Sequence, residues 1–162
     1  LSSLSFASIF LLMVMMFIGA CPGSTGGGVK TSTIGVIIVF LKSKITARDS
    51  VNLFYRTLPQ EAVIKAFTVV TLAMCVYFIS SLVLFVSHPW AAMREVFFEV
   101  YSAFGTVGLS LGITPKLTNL GKVMIALTMY IGRVGPLTLL YAFSREKAFG
   151  KFDYVEESVM IG

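Results

Sequence analysis

Apolar residues along this chain fall into long blocks without charge, separated by short polar stretches. Residues 1–29 carry no charge, Ala66–Ser87 is a second uncharged block, and Val123–Ser144 is a third, interrupted only at Arg133. About 20 apolar residues wound as a helix cross a hydrocarbon core. These blocks are apolar around their whole circumference, whereas a soluble surface helix carries one apolar stripe. The pattern predicts an all-α membrane protein; buried helices of a soluble protein are the bland alternative.

The informative positions are those where the blocks fail. The first predicted helix, Leu4–Ala20, stops at Cys21-Pro22-Gly23. Residues 22–29 contain four glycines and a proline, which no stable helix interior holds. The predicted break spans 21–29, before a second apolar stretch at Ile34–Leu41. Irregular backbone at membrane depth is tolerated only inside protein or against a water-filled cavity, so the break itself argues for a pathway. Residues 42–60 are polar and read as a loop, with a short amphipathic piece around Val51–Tyr55. A long helix follows over Glu61–Ser87 and ends at His88-Pro89. Ala91–Ala103 is helix-like but only half a bilayer long, with Arg94, Glu95 and Glu99 near its start, where an outer surface would lie. Phe104–Thr114 has three glycines and no charge, and the last span begins near Asn119. The order span, short helix, glycine-rich strand, span describes a re-entrant pore loop between two antiparallel spans, from 61 to 144, followed by a tail over 145–162.

Charge placement supports this topology. Charged residues make up 13% of the chain against 56% hydrophobic ones; an ordinary soluble domain is about 25% charged. Lys42, Lys44, Arg48, Arg56 and Lys65 cluster in one segment, and Arg145, Lys147 and Lys151 in the tail. The positive-inside rule puts both in the cytoplasm, so the net charge of +5 is an orientation signal. No basic aromatic patch suggests nucleic acid. Residues 1–20 lack the basic start of a cleavable leader, and the sequence after them stays apolar. Cys21 and Cys75 lie in apolar segments, where packing is the default role, and no disulfide, metal or redox site is expected. His88 is the sole histidine, and no catalytic constellation is present, so an enzyme is not expected.

Three motifs remain. Phe104-Gly105-Thr106-Val107-Gly108-Leu109 follows the half-length helix. Selectivity filters replace an ion's water shell with backbone carbonyls, and glycine permits the unusual backbone this requires. The preceding helix would aim its negative C-terminal end at a cation. The alternative is a simple glycine-rich turn. Gly23-Ser24-Thr25-Gly26-Gly27-Gly28-Val29-Lys30-Thr31 superficially resembles a phosphate-binding loop, but Val29 separates Gly28 from Lys30 and a membrane helix replaces the preceding strand. A loop beside a pore fits better. Arg133, near the middle of the third block, costs about 2.5–3.5 kcal/mol at a bilayer centre. It should therefore have a partner, either as a structural arginine on backbone carbonyls or as a positive charge limiting cation passage. A faint repeat relates Met16-Phe17-Ile18-Gly19-Ala20 to Met129-Tyr130-Ile131-Gly132-Arg133, with a glycine-proline turn after each.

Gly23–Gly28 with Lys30, Gly105-Thr106-Val107-Gly108-Leu109 and Gly132-Arg133-Val134-Gly135-Pro136-Leu137-Thr138, in this order, resemble the Trk/Ktr/HKT superfamily of potassium transporters, with greatest likeness to a KtrB-like membrane subunit. The resemblance covers essentially the whole chain. It implies four span–pore loop–span repeats around one pathway in the cytoplasmic membrane. Of these the chain would hold the broken second span of the third repeat (1–41) and the complete fourth (61–144), so that it reads as a C-terminal fragment. It implies a gating loop at Gly23, Ser24, Thr25, Gly26, Gly27 and Gly28, a filter at Thr106, Val107, Gly108 and Leu109, and a pore-facing charge at Arg133. It further implies potassium as the transported ion, with sodium as a coupling or activating ion left open, and no cofactor bound by this chain. The implied partners are a second copy, in a membrane homodimer, and cytosolic nucleotide-binding regulatory subunits of the KtrA/TrkA kind. The competing expectation is a non-conducting scaffold or assembly subunit that keeps only the packing.

Overall fold

The computed structural model describes residues 4–46, 52–53, 56–136 and 138, and these are mostly helical. Ser5 caps α1 (Phe6–Phe17) by accepting the Ser8 amide at 3.3 Å. The helix ends before the Pro-Gly pair because its last carbonyls find partners outside it. The Val29 amide donates to the Phe17 carbonyl at 3.2 Å, and the Gly19 amide donates to the Val29 carbonyl at 2.7 Å. This parallel bridge between Ile18 and Val29 ties both sides of the break together and widens it beyond 21–29. The chain re-enters helix as α2 (Thr31–Ile45), starting earlier and ending later than Ile34–Leu41, with Lys42 and Lys44 in its last turn, where cations complement the helix dipole.

Of the 42–60 segment, Asn52–Leu53 (β1) pairs antiparallel with Arg56–Thr57 (β2) in a minimal hairpin. The amphipathic piece expected around Val51–Tyr55 otherwise lies outside the described residues. α3 (Gln60–Ser87) matches the predicted span within a residue. At 28 residues it is the one helix among the described residues long and apolar enough to cross a membrane unaided. α4 (Met93–Gly105) is about 20 Å long, half a bilayer. A 3-10 turn at Thr114–Lys116 leads to α5 (Asn119–Val134), whose cap Thr118 accepts the Gly121 amide. The rest of the third predicted span and the 145–162 tail lie almost wholly outside the described residues.

α4 sits at the centre, packed by α1, α3 and α5. Its Val96, Phe98, Val100, Ala103 and Phe104 are buried. Tyr77 of α3 stacks between Tyr101 and Phe104 at ring separations of 4.5 and 4.8 Å, and Phe17 joins the same cluster. Ser80 and Thr128 join α3 to α5 through a buried hydrogen bond of 2.8 Å. His88, buried at the corner after α3, accepts the Thr118 amide on Nε2 at 2.8 Å, with Nδ1 3.3 Å from the Leu84 carbonyl. Since Nε2 accepts, Nδ1 carries the hydrogen. One imidazole thus links the end of α3 to the start of α5. Two sequence expectations fail here. Glu99 is buried, because the helix face it occupies is covered by the strand that follows. Cys21 and Cys75 are free and exposed, on the outer turn of the break and the outward face of α3.

Candidate functional site

The C-terminus of α4 and the glycine-rich break meet directly. Thr106 terminates α4 in the left-handed region (φ 54°, ψ 36°), with its amide on the Ala103 carbonyl at 3.1 Å. A β-branched residue is rare there, and surrounding contacts must hold it. One is the Gly27 amide, which donates to Thr106 Oγ1 at 2.9 Å. Gly27 lies so close that a Cβ on it would stand 2.7 Å from the Phe104 carbonyl oxygen. From the other side Gly132 of α5 approaches the same carbonyl, and a Cβ there would collide with it. Gly105 completes the packing: a Cβ on it would lie 2.8 Å from the Met16 carbonyl. The carbonyl end of α4 is thus enclosed by glycines from two segments, the break and α5, while its own Gly105 lies against the end of α1.

The predicted filter positions leave this knot together. The Val107 amide donates back to the Ser102 carbonyl at 3.0 Å. Val107 and Gly108 are exposed, and Thr106 and Leu109 half-buried. Gly108 has φ +79° with nothing within 4 Å of an added Cβ, so its backbone, and not crowding, calls for glycine. Leu109 packs on Ile9, Met16 and Phe98.

The predicted gating residues divide. Gly23, Ser24 and Thr25 are exposed, Gly26 is half-buried, and Gly27 and Gly28 are buried, Gly27 against Phe104 and Thr106 and Gly28 against Met16 and Gly19. Lys30 Nζ donates to the Gly26 carbonyl at 2.6 Å, fastening the loop from within. That use of the lysine, with Val29 locked in the bridge to Ile18, is unlike a phosphate-binding loop. Arg133 is not drawn into this cluster. It is exposed in the last turn of α5, and the ion pair found among the described residues is Lys65–Glu61. Its expected partner is therefore not seen among them.

The sequence reading missed Gly132, Lys30 and Glu99 as site residues. Gly132 stood in the third motif, with no role of its own, and in the repeat with Gly19, which also sits at a close approach: a Cβ there would strike the Gly27 carbonyl. Glu99 accepts hydrogen bonds from Ser110 Oγ at 2.8 Å and Thr114 Oγ1 at 2.5 Å; two hydroxyls four residues apart beside the glycines were its only signal. Among the described residues no cluster of three His, Cys, Asp or Glu could hold a metal.

Residues 1–152 match the sequence model of a family described as "TrkH: Cation transport protein". The chain is 40% identical over 164 residues to the potassium/sodium uptake protein NtpJ of Enterococcus hirae, covering 98% of this chain and 36% of that one. It is 38% identical to the Ktr system potassium uptake protein D of Bacillus subtilis, covering 100% and 36%. The crystal structure of the potassium transporter TrkH from Vibrio parahaemolyticus superposes with a TM-score of 0.70 at 25% identity, covering 84% of this chain and 31% of that one. The chain therefore spans about a third of the length of these relatives. By its family match and these identities, this chain belongs to the TrkH family of cation transport proteins, a membrane transporter family and not an enzyme family.

Proposed function

We propose that this chain supplies one filter segment and the gate beneath it to a potassium-translocating membrane subunit. The observation that carries the proposal is the hydrogen bond from the Gly27 amide to Thr106 Oγ1 at 2.9 Å. It joins the glycine-rich break to the segment that leaves α4, which supports a gate lying under the filter. The carbonyls around Val107 and Gly108 line the pathway, α4 directs its negative end toward the cation, and Gly26–Gly28 obstruct passage until they move. Arg133 contributes a positive charge beside the pathway. Three further glycine-centred segments complete the filter, as the four-repeat organisation requires. Its likeness to potassium uptake proteins supports potassium as the ion. The name "Ktr system" borne by one relative supports an assembly of several components. Here that is a homodimer with cytosolic nucleotide-binding subunits on the Lys42–Lys65 side, in the cytoplasmic membrane.

The test is the ratio of potassium to sodium uptake in the full-length transporter, expressed in cells lacking their own potassium uptake. Gly108→Ser should erode the ratio at normal abundance; an unchanged ratio would remove Gly108 from the filter. Shortening Gly23–Gly28 should raise maximal uptake, and an equal or lower rate would count against a gate. Arg133→Gln should change the rate without loss of assembly.

A further inference from the structure

Glu99 is unexplained by any role given so far. It is a carboxylate only 5% exposed, on the helix that precedes the filter segment. A buried carboxylate is costly unless hydrogen-bonded. Both its oxygens are engaged, Oε2 by Ser110 and Oε1 by Thr114. Thr114 Oγ1 also lies 2.8 Å from Ser110 Oγ, which in turn accepts the Gly112 amide at 3.0 Å. These partners lie in the strand that leaves Gly108 and at the start of the 3-10 turn that follows it.

That strand has few other restraints near its glycines. Added Cβ atoms at Gly108 and Gly112 meet nothing within 4 Å, and both residues have positive φ. The backbone there is free to rotate unless fixed on each side. On the α4 side the Val107 amide is tied to the Ser102 carbonyl. On the far side the fixed points are the packed side chains of Leu109 and Leu111, the buried Ile113 and the two hydroxyls on Glu99. The apolar anchors hold the segment against the core, and the polar tether at Glu99 adds a directional restraint on the backbone that carries the Val107 and Gly108 carbonyls.

We infer that Glu99 is a positioning residue that sets ion preference by holding Ser110 and Thr114, and through them the Val107–Gly108 backbone, in register with α4. The inference rests on the filter reading of Thr106–Leu109. It makes the two hydroxyls as important to selectivity as the acid itself, and it separates positioning from simple attraction of cations by negative charge.

The test uses the full-length transporter, with potassium and sodium uptake measured at matched membrane abundance. Thr114→Val keeps the side-chain shape, and Ser110→Ala removes one hydroxyl. Each should lower the potassium-over-sodium ratio by about tenfold, the scale of one hydrogen bond to a charged group. Glu99→Gln, which keeps one acceptor oxygen, should lower it less than Glu99→Ala. The Glu99→Gln, Thr114→Val double variant should lose no more than the larger single effect, because both break one tether. Glu95→Gln, on the same helix, should leave the ratio unchanged. If Glu99→Ala does not assemble, Thr114→Val still decides the matter. An unchanged ratio in Thr114→Val, Ser110→Ala and Glu99→Gln, alongside a shifted ratio in Gly108→Ser, would overturn the inference alone. An equal loss in Glu95→Gln would overturn it in favour of a general charge effect. An unchanged ratio in Gly108→Ser would instead bring down the filter reading beneath it.

Discussion

Gly27 and Gly108, one in each irregular segment of this protein, are glycines for opposite reasons. In the break between α1 and α2, Gly27 is buried and has no room for a side chain, since the Phe104 carbonyl and Thr106 stand against it. In the strand after α4, Gly108 has open space around it but a backbone in the left-handed region. Gly27 is set by close approach and Gly108 by conformation, while Gly23 and Gly28 of the break also take positive φ. Two backbones that must lie flush against each other need the former, and a backbone that must turn its carbonyls out of the extended direction needs the latter. Irregular backbone in a membrane is thus not one kind of structure, even when the glycine content looks alike.

Alanine substitutions at four glycines turn that contrast into a graded series. Gly132→Ala places a Cβ on the Phe104 carbonyl, and backbone cannot yield as a side-chain tip does. The variant should lose about 3 kcal/mol, the upper range of overpacking, and thermal unfolding in detergent should show the largest drop of the series. Gly27→Ala, with its Cβ 2.7 Å from the same carbonyl oxygen, should cost about 2 kcal/mol, because the loop can retreat; raised uptake should accompany the loss. Gly108→Ala should cost only about 1–2 kcal/mol, the penalty of an L-residue in the left-handed region, yet it should change ion preference. D-alanine at 108, introduced by semisynthesis, should restore that preference, because D-residues favour positive φ and the space is open. If D-alanine performs no better than L-alanine, crowding also governs the filter and the contrast fails. Gly35→Ala lies within α2 with nothing in reach of the new methyl and should stabilise by about 0.5–1 kcal/mol. A destabilisation there would reveal a neighbour from elsewhere in the assembled transporter.

Much of the fold was legible in the order of apolar blocks and breaks. α3 announced itself by an uncharged run longer than a bilayer needs, and α4 by a helical pattern cut short before glycines. The limits of the break were less legible. It runs from Ile18 to Lys30, and not 21–29, because the Ile18–Val29 bridge removes carbonyls from α1 that no local preference would release. Glu99 was misread for a similar reason. An acid near the start of a short helix resembles a surface residue, and its burial depends on hydroxyls 11 and 15 residues further on. Gly132 stood beside Arg133, whose charge drew the attention, while the structure uses the glycine for contact and leaves the arginine exposed.

The sequence by itself determined that this chain is built for lipid, where its helices fail, and which family it resembles. Those properties follow from composition and spacing, since every backbone group in a bilayer must be satisfied within a helix or a sheltered break. Only the tertiary structure decided that the two glycine-rich motifs touch at Gly27 and Thr106, that Gly132 closes over the Phe104 carbonyl, and that Glu99 accepts hydrogen bonds from Ser110 and Thr114. Those contacts join residues far apart in the chain, and their existence depends on distances of a few ångströms that no linear pattern encodes.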